Sequence, residues 1–168
     1  MLMYHPAFDV NHCLYRILGI LNNTREFEIS WSLLRMLDFY YLFPSELKKI
    51  KPWPREISEY KKSAAEIPEP FEEISNSKRI FHDLEHFQKT AILELIAKGI
   101  VSKDLFAIGK VRLDDFLTPS QYLTKIGGDT FFSTPAFKII TKALPMLELN
   151  GSSGLKKRSG LMEYIYDI

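Results

Sequence analysis

One cysteine, Cys13, stands alone in 168 residues. It has no partner within the chain, so the fold cannot rest on an internal disulfide. No apolar run reaches the roughly 18 residues that a membrane span requires; the best candidate, Ile29 to Pro44, is interrupted by Arg35 and Asp38. The first residues, Met-Leu-Met-Tyr-His-Pro, lack the basic start and long apolar stretch of a secretory signal. These absences point to a cytoplasmic protein with no membrane partner. Glycine-rich phosphate loops of the Walker or dinucleotide type are missing, as are serine nucleophile elbows, so no cofactor and no nucleotide cradle are expected. An excess of charge of one sign is missing too: 22 basic residues face 21 acidic ones. With no global field, any nucleic-acid contact would have to come from a local patch.

What the chain has instead is apolar and aromatic surface. Twelve Phe, eight Tyr and two Trp accompany an apolar fraction of 46% and a charged fraction of 26%, the profile of one globular body. The most concentrated stretch is ISWSLLRMLDFYYLFP, from Ile29 to Pro44. At helical spacing Ser32, Arg35 and Asp38 form one narrow polar stripe, and nearly every other position is apolar. Such a helix must be covered on several sides. Two readings stay open. In one, Trp31, Arg35, Asp38, Phe39, Tyr40, Tyr41 and Phe43 form a docking face for a partner; in the other, the helix belongs to the core and has one wet edge. Charges ringed by aromatics need partners in either case.

The order of elements predicts a mainly α protein with a small β-sheet, in a single compact domain over 1–168. Residues 1–47 read as a helical hairpin: a first helix over Asn11 to Asn22 with Asp9 or Asn11 as cap, a short connector, then the Ile29 helix. Residues 48–74 hold Pro52, Pro54, Pro68 and Pro70 among many Lys and Glu, and read as a mobile surface excursion with one short helix at Glu56 to Ala65. Residues 75–168 open with a long helix capped by Ser75, Asn76 or Ser77 and ended by Gly99 in a left-handed conformation. A half-exposed strand at Lys110 to Asp114 comes next. Two helices begin at Thr118-Pro119 and Thr134-Pro135, the first stopped by Gly127-Gly128 and the second kinked by Pro145. A flexible turn at Gly151 to Gly154, a basic tip and a closing strand over 161–168 complete a winged-helix-like order.

Candidate chemistry is sparse. His82 and His86 lie four apart, as HDxxH, but two ligands do not make a metal site; the plainer reading is a pair of partly exposed side chains. Cys13, within an apolar helix, reads as a buried inert thiol. Lys156, Lys157 and Arg158 could neutralise phosphates as a wing does, against the default of a solvated loop. Lys48, Lys49 and Lys51 make a second, weaker patch. No catalytic, cofactor or metal residues are assigned.

Two pieces of the first third resemble a known family. His5-Pro6-Ala7-Phe8-Asp9 followed by a helix carrying Arg16, and Leu37-Asp38-Phe39-Tyr40-x-x-Phe43-Pro44, look like the amino-terminal signature of the small middle subunit of ABC-three-component systems, the group that includes the Lamassu anti-phage and anti-plasmid systems. The resemblance implies a non-catalytic adaptor bridging an SMC-like ATPase and an effector, commonly a nuclease, with DNA reached through the complex. Carried over by position, Asp38-Phe39-Tyr40 and Phe43-Pro44 would hold the hairpin together and offer part of the docking face. The alternatives are a free-standing winged-helix DNA-binding protein, using the Thr134 to Leu147 helix and the basic tip, and a metal-dependent hydrolase using His82 and His86.

Overall fold

Asp9 starts the first helix: its carboxylate accepts from the His12 N–H at 2.9 Å, satisfying a donor that the first turn leaves open. In the computed structural model, which describes residues 5–114, Ser120, Thr124 and residues 129–162, helix α1 runs Val10–Asn23. Thr24 stops it, its hydroxyl donating to the Ile20 carbonyl at 2.9 Å. A short connector leads into the two-residue strand β1 (Ile29–Ser30), and Ser30 caps α2 (Trp31–Leu42) by accepting from the Leu33 N–H. Pro44, which cannot donate to a continuing helix, opens a 3₁₀ turn over Pro44–Lys49. The hairpin expected from the sequence is therefore present, shortened by the residues that form β1.

Residues 48–67 are not a free excursion. A 3₁₀ turn over Arg55–Tyr60 leads into α3 (Lys61–Ala65), and Ile50, Ile57, Ala64 and Ile67 are all buried. These apolar residues are too widely spaced among prolines and charges to show a period, yet each is inserted singly into the common core. Exposed residues alternate with these buried ones up to Ile67, and only residues 68–73 form an unbroken exposed run.

The long helix expected after Asn76 is two helices, α4 (Ser77–Asp83) and α5 (Glu85–Ala97). Backbone bonds still cross the break, Leu84 N–H to the Ile80 carbonyl and Gln88 N–H to the Leu84 carbonyl, both at 3.0 Å. Neither proline nor glycine marks the break. Leu84 itself is fully buried. Gly99 ends α5 at φ 73°, the left-handed conformation expected of it. Beyond it, Ser102 caps α6 (Lys103–Ala107), and Gly109, at φ 80°, turns the chain into β2 (Lys110–Val111).

The sheet joins distant parts of the chain. β2 pairs antiparallel with β1, Ile29 opposite Val111 and Ser30 opposite Lys110, and a further bridge joins Val101 to Leu113. Leu161 and Met162 form a bend, while residues 163–168 of the expected closing strand and most of the expected helix from Thr118 lie outside the described residues. The Thr134 cap is present, opening a helix over Pro135–Lys138. It widens into a π turn at Ile139–Ala143 and tightens into a 3₁₀ turn at Leu144–Met146. Pro145, with no N–H for the ladder, falls where the helix fails.

The expected basic wing is a helix, Leu155–Ser159, ended by Gly160 at φ 68°. Leu155 is 1% exposed and Lys156 3%, and their N–H groups bond the Glu148 and Leu149 carbonyls at 2.9 and 3.0 Å. Burial of Leu155 docks this turn and overrides the flexibility suggested by the surrounding Gly and Ser.

Candidate functional site

α1, α2 and α5 pack together, and at their meeting point lies the polar stripe of α2. Asp38 faces α1, where Arg16 grips it in two bonds: Nε to Oδ1 at 2.6 Å and Nη2 to Oδ2 at 3.2 Å. Gln88 of α5 completes the shell, donating from Nε2 to Asp38 Oδ2 at 2.9 Å and to the Arg35 carbonyl at 3.2 Å. Its Oε1 accepts from Arg35 Nε at 3.1 Å. Arg35 also donates to the Phe81 carbonyl at 3.4 Å, sits 4.6 Å from the centre of the Phe81 ring and reaches Glu85 at 3.6 Å. Asp38, Gln88, Arg16 and Arg35 are 0%, 1%, 3% and 7% exposed.

So the charges do have partners, and those partners are the chain's own. Among the described residues no buried side-chain nitrogen or oxygen is left without a hydrogen bond. Burial works against the Arg16 charge, but the adjoining Asp38 carboxylate outweighs it and holds the guanidinium above its ordinary range. For Arg35 burial prevails over the attraction of Glu85, and its affinity for the proton falls. The Cys13 thiol lies 4.0 Å from Asp38 Oδ2; burial first, then that carboxylate, push its ionisation far above the ordinary thiol range. That is an inert thiol, as its apolar helix suggested.

The seven aromatic and charged positions singled out on α2 and its C-cap, Phe43, fall into two groups. Arg35, Asp38, Phe39 and Tyr40 are enclosed by the chain itself. Trp31, Tyr41 and Phe43 are half-buried. Each packs edge-on or tilted against a neighbour: Trp31 on Phe106 at 5.5 Å, Tyr41 on Phe131 at 4.6 Å, Phe43 on Phe39 at 5.2 Å. Tyr41 belongs to a cluster in which Phe132 stacks on Phe137 at 4.5 Å and on Tyr15 at 6.3 Å.

Lys156, Lys157 and Arg158 do not form a common exposed tip. Lys156 is buried, Lys157 is exposed, and Arg158 donates to the carbonyls of Ser153 and Pro52. The helix turns successive side chains about 100° apart, so three adjacent cations cannot share one face. His82 and His86 are both exposed, and among the described residues no group of three or more His, Cys, Asp or Glu could hold a metal ion.

Sequence reasoning missed Gln88 and the pairing of Arg16 with Asp38. A signal for the first was present, since Leu84, Gln88, Ala91 and Leu95 keep one helical face. A polar residue inside an otherwise apolar stripe needs a buried partner.

The structure thus defines a mainly α protein with a small antiparallel sheet, whose central charged cluster is closed within its own core. A family model described as ABC-three component (ABC-3C) system Middle Component 5 matches residues 2–167, and the chain belongs to that family. No curated protein and no solved structure matches it.

Proposed function

We propose that this chain is a non-catalytic accessory subunit bridging an SMC-like ATPase and an effector nuclease in a Lamassu-type complex that defends bacteria against phage or plasmids. The observation that carries this reading is the family match across residues 2–167 to a middle component of ABC-three-component systems; the Lamassu type, the SMC-like ATPase and the nuclease are what the resemblance of the first third adds. The ATPase would sense foreign DNA, the effector would damage it, and this subunit would hold the two in register in the cytoplasm. On α2 and its C-cap, the surface left for such contact is the outer part of Trp31, Ser32, Tyr41, Leu42 and Phe43. Arg35, Asp38, Phe39 and Tyr40 would support that face from beneath.

Co-expression with the neighbouring ATPase and effector genes tests the reading. The chain is expected to purify with both and to show no nuclease or ATPase activity alone; a monomer that captures neither component overturns it. A free-standing winged-helix DNA-binding protein gains nothing from the structure, because its wing would need Lys156, which is buried.

A further inference from the structure

The segment between α3 and α4 carries an exposed anchor beside an open slot. Phe71 is 103% exposed, against at most 67% for the other large exposed apolar side chains described. Around it the sequence reads Glu66-Ile67-Pro68-Glu69-Pro70-Phe71-Glu72-Glu73, so four carboxylates and two prolines surround one aromatic ring. The segment is tied down at both ends. Before Phe71, Ile67 is buried and Glu69 pairs with Lys48 at 2.5 Å. After it, Asn76 caps α4, and the Ser77 hydroxyl donates to the buried Glu46 at 2.5 Å. A bow held at both ends has less entropy to lose on docking than a free tail.

Next to it lies a groove of about 580 Å³ whose apolar lining is Ile50, Pro52, Trp53, Ala64 and Ala65. Three lysines, Lys48, Lys51 and Lys61, line the same groove, together with Glu69. Lys48 is already matched by Glu69 of the same chain, which leaves Lys51 and Lys61 to make the slot complementary to an apolar ring flanked by Glu72 and Glu73. Yet Phe71 stays in solvent although Glu69, two residues earlier, already lines the groove. Pro70 lies between them and fixes its own φ.

We propose that Phe71 and its glutamates occupy this groove on a second copy of the chain, and that the two copies exchange them reciprocally. An anchor and its slot on one face make a self-complementary surface, which a two-fold axis uses twice. Trp53 and Phe71 supply the large apolar contact, and the lysines and glutamates set the register and the salt dependence. This dimer is independent of the defence assignment.

Sedimentation velocity of the full chain over a concentration series, at low and high ionic strength, tests it. The wild type is expected to dimerise and to dissociate as salt rises. Phe71→Ser, which touches no core, and Ala65→Arg, which fills the groove at an exposed position, should each weaken the dimer about tenfold or more while leaving the circular dichroism spectrum unchanged. Mixing these two variants should give a heterodimer stronger than either variant's own dimer, because one of the two exchanged contacts is intact. A wild-type chain that remains monomeric at every concentration overturns the proposal, as does a dimer indifferent to Phe71→Ser. It is equally overturned if Phe71→Ser alters Trp53 fluorescence in a monomer, which would mean that the segment closes on its own groove.

Discussion

Arg16 and Asp38, from the two arms of the helical hairpin, meet through Nε and Oδ1 at 2.6 Å with their side chains 4% and 0% exposed. A carboxylate with no access to water has to be satisfied by the chain, and two of its bonds come from one guanidinium. The pair therefore fixes the register of α1 on α2, and Gln88 extends that register to α5. The sheet adds a second tie, from the start of α2 to residues 110–111.

Breaking this pair from one side should be severe. Arg16→Met leaves Asp38 charged, buried and without its cation, a situation that costs about 3–5 kcal/mol. Urea unfolding is expected to show that loss. Adding Asp38→Leu should restore much of it, because an apolar pair needs no desolvated charge.

Gln88 should matter less than the charges and more than a surface amide. Gln88→Leu removes a donor to Asp38 and an acceptor for Arg35 Nε, so a destabilisation of about 1–3 kcal/mol is expected from the groups left unmatched. Gln88→Glu should be worse than Gln88→Leu, since it sets a second carboxylate against Asp38. Thermal melts of the two variants side by side check the order.

Gly19 is the close approach of α1 to the aromatic cluster. A Cβ built there would stand 2.5 Å from Phe132 Cζ, and the ring is held between Tyr15 and Phe137. Although alanine favours helix, Gly19→Ala is expected to destabilise by about 1–3 kcal/mol through overpacking. Gly19→Ala combined with Phe132→Leu should recover part of that loss, as read by denaturant midpoints.

Alkaline pH should loosen the aromatic side of the molecule. Burial, and then the 2.5 Å hydrogen bond to Asp129, raise the ionisation of Tyr15 to about 12. Burial likewise raises Tyr40 and Tyr41 above the ordinary range. Because the folded value lies above the unfolded one, the stabilisation is complete below the unfolded value of 10.0 and is lost as pH climbs through the folded value near 12. Phenolate absorbance followed with circular dichroism should show these tyrosines ionising together with unfolding, and Tyr15→Phe should remove part of the pH dependence.

Local rules were readable in the sequence and cross-chain pairings were not. The Asp9 cap, the Thr134-Pro135 start and the left-handed Gly99 follow from chemistry within a few residues. Arg35 and Asp38, spaced as a surface ion pair, are both held by Gln88 of α5, and Asp38 takes Arg16 of α1 as its cation; three-residue spacing cannot reveal a partner on another helix. The break at Leu84 carries no proline or glycine. Around Lys156, flanking Gly and Ser suggested a loose tip, whereas burial of Leu155 makes it a docked turn. The sparse isoleucines of residues 50–67 gave no period, and so the segment looked mobile.

The claim at the centre of this account is that the polar stripe of α2 is closed by the chain itself and does not wait for a partner. Amide hydrogen exchange of the isolated chain over residues 35–40 tests it most directly. The account predicts that these amides of the isolated chain exchange only through global unfolding, at the slowest rates in the molecule. Rapid exchange in the isolated chain, with protection gained only in the complex, would contradict it.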